Sequence, residues 1–353
     1  MMKQPQLLLA FLLSTQVISM NQFEKTKDMT PSSLTQKSSK QGRAYFESTT
    51  LSMFGTEGKV WLENLPKLVE KLATQWKLSH LEPLTDDLSY NFILAGFRET
   101  QPIILKIGLN FKEIEQEAKA LRALTSPYTA QVLEQDTTCG ALLLERAIPG
   151  NTLNSYFPNK DTEAVKIVCD LIQKLPKVIP DLSPFHSDTD RFSIIDRDGW
   201  DIPSHILTKA RSLKSQLLAT APEPVLIHGD LHDGNIVHQG NHWIIIDPSG
   251  MQGEIAHEIA GFICNPYESV FALPNAHEFI KNRILVSSQL LGIDPERIQR
   301  WCFLYVVWAW AWILQSGDDA TEIAYDAQFL DPLTPDNLET PSPLCRHESK
   351  IHE

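Results

Sequence analysis

The chain is short of positive charge, of cysteine and of long apolar runs, and each shortage excludes something. Lys and Arg number 31 against 44 Asp and Glu, so the 353 residues carry a formal net charge of −13. A surface of that sign repels nucleic acid and anionic lipid, so neither is an expected partner, whereas a cationic small molecule is. The five cysteines (Cys139, Cys169, Cys264, Cys302 and Cys345) are scattered and odd in number. They offer neither a disulfide framework nor a metal-ligand spacing, which favours a reducing compartment, the cytoplasm. No apolar run reaches the roughly 20 residues that a membrane-spanning helix requires. The strongest, Trp301 to Leu314, is aromatic on every face and reads as a central helix of a large core. No Gly-x-Gly loop precedes a lysine-bearing strand, so any phosphate site must be built by other means.

What is present centres on Val225 to Pro248. An apolar run, Val225-Leu226-Ile227, has the length of a buried strand. A loop with His228, Asp230, His232, Asp233 and Asn235 follows, then two β-rich runs, Ile236-Val237 and Trp243 to Ile246, split by Gln239-Gly240-Asn241. The second run ends on Asp247, so a hairpin would bring Asp230, Asn235 and Asp247 together at one end of its strands. Phosphoryl transfer asks for such a set. A carboxylate orients the attacking hydroxyl and takes its proton, while hard oxygen ligands hold magnesium against the phosphates. Two other readings fit the loop in isolation. It can be a solvated hairpin, or, through Gly229-Asp230-Leu231-His232, half of a dinuclear metal site. The second lacks the further His and Asp blocks it needs, and His232 and His238 are then polar scaffold.

The offset from Asp230 to Asn235, with Asp247 beyond, resembles the catalytic loop and metal-binding aspartate of protein kinases. It is more similar still to that of aminoglycoside phosphotransferases and choline-kinase-like enzymes. Downstream, Asp247-Pro248, Gly253-Glu254, Glu258 and Asn265-Pro266 resemble one branch, the streptomycin 6-phosphotransferase and hydroxyurea-kinase type of resistance enzyme. The resemblance covers roughly residues 61–317. It implies an α+β, two-lobed protein-kinase-like fold with a small β-rich N-lobe and a larger, mostly helical C-lobe. It also implies an ATP- and Mg²⁺-dependent transfer to a hydroxyl, with streptomycin or a related cationic antibiotic as acceptor. An endogenous amino-alcohol or sugar is the nearest alternative acceptor, and a nucleotide-binding pseudoenzyme the alternative of another class. Asp230 would be the catalytic residue, with Asn235 and Asp247 as metal ligands and His228 and Glu258 as supports of the loop. The branch carries aspartate where Glu254 and Glu258 stand, and an acid one methylene longer is expected to alter that support.

Upstream, the residues supply a nucleotide lobe. Lys106 lies in the apolar strand Ile103 to Ile107, where a buried ammonium needs an anionic partner. Among Glu113, Glu115 and Glu117, the last shares the inner helical face with Ala118, Leu121 and Leu124 and is the expected partner, unless Lys106 snorkels outward. The turn at Asp86-Asp87-Leu88-Ser89 stands where kinases cover the phosphates, with Ser89 and nearby amides in place of glycines. Ala141 to Gly150 reads as a strand running into an interlobe hinge, with backbone groups of Glu145, Arg146 and Ala147 facing adenine. Asp181 to Asp201 is acidic. With Asp233, Asp196 and Asp198 are its candidate substrate contacts, against the plainer reading of a solvated connection.

The domain expectation is accordingly fourfold. Residues 1–58 are an apolar lead (Lys3, then Leu7 to Leu13) and a flexible leader, 59–146 the nucleotide-binding N-lobe, 147–325 the catalytic C-lobe and 326–353 a disordered tail. The apolar lead can be an export signal, which would conflict with use of ATP, or the start can lie at Met20 or Met53.

Overall fold

The computed structural model describes residues 31–84, 91–176, 179–265 and 270–335. It opens with helix α1 (Pro31–Trp76), broken at Gly55, whose φ of 54° is a left-handed conformation that glycine adopts without a Cβ clash. Five strands follow: β1 (Leu78–Pro83), β2 (Asn91–Arg98), β3 (Gln101–Gly108), β4 (Val132–Asp136) and β5 (Ala141–Glu145). They form one sheet in the order β1-β2-β3-β5-β4 with every pairing antiparallel. Helix α2 (Phe111–Ala123) connects β3 to β4.

The alternation of side chains along a strand assigns the two faces of this sheet. Ile103, Leu105 and Ile107 on β3, with Ala141 and Leu143 on β5, point to α1, where Phe46, Trp61, Leu65, Leu72 and Trp76 are buried against them. Ile104 on β3, with Leu142 and Leu144 on β5, points the other way, onto Ile114, Ala118 and Leu121 of α2. Lys106 shares this second face. The expectation of a flexible leader to residue 58 is therefore corrected within the described part. A sheet apolar on both faces needs a second cover, and Phe46, 1% exposed and edge-on to Trp61, is part of it. Strand β4, whose residues are all half-buried at the sheet edge, is not among the sequence expectations.

The C-lobe begins with β6 (Pro149–Thr152) and α3 (Asp161–Lys174), followed by β7 (His186–Ser187), α4 (Asp188–Phe192) and α5 (Ser204–Ala219). Next come β8 (Val225–Ile227), the hairpin β9 (Ile236–Gln239) and β10 (His242–Ile245), and β11 (Met251–Gly253). Helices α6 (Ile255–Cys264), α7 (Ala276–Leu291), α8 (Pro295–Ser316) and α9 (Thr321–Leu330) complete it. Two small sheets, β10-β9-β6 and β7-β11-β8, carry the loops of the site. Helix α8 is the expected aromatic centre, with every residue from Trp301 to Trp312 buried. The lobe also runs past residue 325, because Ala327, Leu330 and Thr334 are buried as well, which corrects the expected start of the tail. Residues 336–353 lie outside the described chain.

The lobes are stitched behind the hinge. The loop between α2 and β4 pairs with β10, the Ile245 N–H donating to Tyr128 O at 2.8 Å and the Ala130 N–H to Ile245 O at 2.9 Å.

Candidate active site

The loop from His228 to Asn235 is held by side chains that satisfy its backbone. The Glu258 carboxylate, on α6, accepts from the His228 N–H at 2.7 Å and from the Gly229 N–H at 2.9 Å. Burial pushes its pKa up, and those two amides oppose the shift. Gly229 has φ +78°, so its carbonyl turns back toward α4, where the Arg191 guanidinium donates to it at 2.5 Å. The Arg191 guanidinium in turn lies 4.4 Å from the centre of the Trp308 ring, so this loop is braced through one arginine onto the central helix.

His228 ties this loop to the strand end that bears Asp247. Its Nδ1 accepts from the Asp230 N–H at 3.1 Å, which puts the ring proton on Nε2, and that N–H donates to Ile246 O at 2.8 Å. Burial pushes its pKa down to about 4, so the ring stays neutral. The Asn235 amide faces the Asp230 carbonyl at 2.9 Å. A carbonyl only accepts, so the group on that side is NH₂ and Oδ1 is turned away from it. The Ile246 N–H closes the circle on Asn235 O at 3.0 Å. Asp247 adopts a left-handed φ of 59°, a strained conformation for a residue with a side chain, as the chain leaves β10.

Lys106 reaches down from β3 to this point. Its ammonium lies 2.7 Å from Glu117 and is hydrogen-bonded to Asp247, so the expected inward pairing holds and the snorkelling reading does not. Burial opposes the charge on Lys106, but Asp247 and Glu117 outweigh it and hold the ammonium above the usual lysine range. Partial desolvation in the cleft opposes the charge on Asp247, but Lys106 holds it below the usual carboxylate range. Burial pushes Glu117 up to about 7 and Glu113 up to about 8, with Lys106 opposing in both cases.

Ile104, Ala147 and Ile246 stand half-buried against the apolar cluster that includes Val237, Ile244 and Leu144. Of the hinge amides, Glu145 N–H is taken by Gln131 O at 3.0 Å and Arg146 N–H by Pro102 O at 3.2 Å. Glu145 lines a cleft with Gln131, Gln239 and His242.

The remaining expected residues do not join this group. Ser89 lies outside the described residues. Asp196 and Asp198 find their partners on α5, Lys214 and Arg211 respectively, as a solvated connection would. Asp233 belongs to the loop but is only 2% exposed, and burial pushes its pKa up to about 6, opposed by the charge of Arg283 from α7. Most of the acidic stretch has structural work: Asp188 accepts from His257 at 2.7 Å, and Asp190 forms a capping box with Ser187. Sequence reasoning missed Arg191 and the apolar residues Ile104, Val237 and Ile246. Arginine in an otherwise acidic run was the available signal for the first. Glu254 is bound by Arg297 at 2.8 Å and by the Trp301 indole N–H.

Fold and site together define a kinase-like phosphotransferase for small molecules. The chain belongs to the aminoglycoside/hydroxyurea antibiotic resistance kinase family, whose model matches residues 75–317. It is 32% identical over 238 residues to a streptomycin 3''-kinase of Klebsiella pneumoniae, covering 64% of this chain and 85% of that protein. It is 24% identical over 288 residues to a hydroxyurea phosphotransferase of Kitasatospora aureofaciens, covering 75% of this chain and 78% of the relative. An aminoglycoside phosphotransferase solved with ADP and hygromycin B shares the fold at TM-score 0.54 and 16% identity, over 74% of this chain and 96% of that one. A choline/ethanolamine kinase family protein from Mesorhizobium loti shares it at TM-score 0.55 and 16% identity, over 78% and 95%.

Proposed function

We propose that the protein transfers the γ-phosphate of ATP to a hydroxyl of a streptomycin-like aminoglycoside, inactivating it. The observation that carries the chemistry is the continuous chain of contacts Glu117–Lys106–Asp247 above and Ile246–Asn235–Asp230 below. Lys106, steadied by Glu117, holds the α- and β-phosphates, and adenine packs against Ile104 and Val237. The hinge donor left for the base is the Ala147 N–H, for which the described residues supply no acceptor. Asp230 orients the acceptor hydroxyl and takes its proton late in the transfer.

The donor set suits Mg²⁺. Asn235 Oδ1 is turned away from the loop and the Asp247 side chain is 40% exposed, so two hard oxygens are available. Among the described residues no cluster of three or more His, Cys, Asp or Glu side chains could hold a metal by itself. Mg²⁺ in phosphoryl-transfer sites takes few protein ligands and completes its shell with phosphate and water. Bound there, it would neutralise charge on the β- and γ-oxygens.

The acceptor rests on the relatives, which are named as streptomycin and hydroxyurea kinases, and on the charge of −13, which suits a polycation. The test is ADP release with Mg²⁺-ATP across streptomycin, other aminoglycosides, hydroxyurea, choline and small sugars, with Asp230→Ala beside it. Release that depends on streptomycin and disappears in the variant is the expected result. Release with choline or a sugar alone would overturn the acceptor but keep the chemistry.

A further inference from the structure

Helix α2 belongs to the N-lobe by chain order, yet its buried side is divided between two cores. Ile114, Ala118 and Leu121 lie under the sheet with Leu142 and Leu144. Ala120 and Leu124 instead join the C-lobe core, in one cluster with Phe185, Leu226 and Ile245. Glu117 stands three residues before Ala120 and seven before Leu124, so it lies on the stripe that meets the C-lobe.

The C-lobe group that Ala120 meets is the backbone of Gly250. A Cβ built on Gly250 would come within 2.6 Å of the Ala120 Cβ, so only glycine there lets the helix approach this closely. One turn earlier, the Gln116 amide reaches Gly250 O at 3.4 Å and Pro184 O at 3.5 Å. Gly250 is itself fixed within the C-lobe. Its N–H donates to His228 O at 2.9 Å, and the next residue, Met251, pairs with Ile227 in the small sheet. It therefore joins the segment that follows Asp247 to the loop that bears Asp230.

The α2–β4 loop adds the seam of Tyr128 and Ala130 on Ile245, so α2 is held to the C-lobe at its middle and again just past its end. Lys106 is placed differently. It sits on β3, in the sheet whose other face packs on α1. Two carboxylates, Glu117 and Asp247, are thus fixed to one body and the ammonium between them to another. Close-packed contacts of this kind transmit displacement rather than absorb it.

We propose that Gly250 and Ala120 are positioning residues, whose contact seats α2 on the C-lobe and so sets Glu117 at a fixed distance from Asp247. Lys106 is then steered to the α- and β-phosphates by two acids that move together. The role rests on the phosphotransferase reading above and adds to it the body with which Glu117 moves.

The test is affinity for Mg²⁺-AMP-PNP by calorimetry, which needs no acceptor, with thermal unfolding beside it. Gly250→Ala puts a methyl group into the contact and should weaken binding about tenfold, the scale of one charge-assisted hydrogen bond. Adding Ala120→Gly returns the space, and the double variant should recover most of the affinity. Its unfolding temperature should nevertheless stay below that of the unmutated protein, because glycine within a helix and a side chain at positive φ both cost stability. In a Glu117→Gln background, Gly250→Ala should add almost no further loss, since the group that it displaces has already been removed. Ala120→Val crowds the same contact with the backbone of Gly250 unchanged, and it serves where Gly250→Ala does not fold. The same loss and the same dependence on Glu117 are expected of it. Unchanged affinity in the folded variants, no recovery with Ala120→Gly, or a full additional loss in the Glu117→Gln background would overturn the proposal. If the unmutated protein bound no Mg²⁺-AMP-PNP, the phosphotransferase reading itself would fall, and this inference with it.

Discussion

On the C-lobe side of the cleft, the groups that position Asp230 find their partners inside one lobe: two amides on Glu258, a carbonyl on Arg191, and the His228 ring between Asp230 N and Ile246 O. On the N-lobe side the charges are matched only across the cleft, with Lys106 shared between Glu117 of its own lobe and Asp247 of the other. The first arrangement is finished before any ligand arrives. The second has two carboxylates around one ammonium, and two of the three charges are those that the proposed Mg²⁺-nucleotide would take up. Under the proposed function, the loop is preorganised for electrostatic catalysis, while the N-lobe side holds its lysine and aspartate in reserve against each other. Such an exchange costs less than exposing a bare buried charge, because each partner leaves one ion for another.

Replacing groups on either side tests this difference. Asp230→Ala should lower kcat by roughly 10²–10⁴-fold, the range for loss of a general base. Calorimetry with Mg²⁺-AMP-PNP should find its affinity unchanged, since Glu258, Arg191 and His228 hold the loop backbone. Lys106→Met keeps most of the volume and removes the shared charge. We expect kcat/KM for ATP to fall about 10²-fold, in the range seen when one donor to a developing charge is lost. Its unfolding free energy should change less than loss of a buried ion-pair partner normally implies, because Glu117, already pushed up to about 7 by burial, relieves itself by taking a proton. A large drop in stability measured by denaturant unfolding would show the N-lobe triad to be structural and would break the comparison.

The two sides should also answer pH with opposite sign. His228 is depressed to about 4 in the fold from an ordinary 6.5. Its stability contribution is complete above pH 6.5 and is lost as pH falls through 4, a change of about 3 kcal/mol for a shift of that size. Glu117 is raised to about 7 from 4.5, so its contribution is complete below pH 4.5 and is lost as pH rises through 7. Denaturant unfolding of the protein and of His228→Gln at pH 7 and pH 4 isolates the histidine. The variant should lack the loss on acidification, and a parallel dependence in both would remove His228 as its source.

Legibility in the sequence followed the same division. The loop and hairpin were readable because their residues are contiguous and their chemistry is local, from His228 through Asp247. Lys106 and Glu117 were readable because a lysine in an apolar strand and a glutamate on an apolar helix face each demand a partner. What the sequence hid depends on distant packing. The part of helix α1 before Gly58 has few large apolar groups among Ser, Thr, Lys and Gln, and only the sheet behind it shows that Phe46 is core. Arg191 and Asp188 sit in an acidic run that reads as solvated, yet both are 7% exposed, one under the loop that bears Asp230 and the other under His257. The apolar residues Ile104, Val237 and Ile246 come from three separate segments and have nothing but that character to mark them.

Glu258 is where the sequence expectation and the structure part most usefully. The longer acid was expected to disturb the loop, but it spans two adjacent amides, one to each oxygen, at 2.7 and 2.9 Å. The backbone of α6 has thus been set one methylene further from the loop than an aspartate would need. Glu258→Asp, a change toward the residue the resembled branch carries, should therefore weaken this protein. The carboxylate would fall short of at least one amide and leave a buried N–H unpaired, at about 1–3 kcal/mol. Because Arg191 and His228 still hold their ends of the loop, kcat should fall only about tenfold, the smallest of these effects on turnover. Unchanged stability and rate in Glu258→Asp would mean that α6 moves to meet the shorter acid, and that the loop is less rigid than its hydrogen bonds imply.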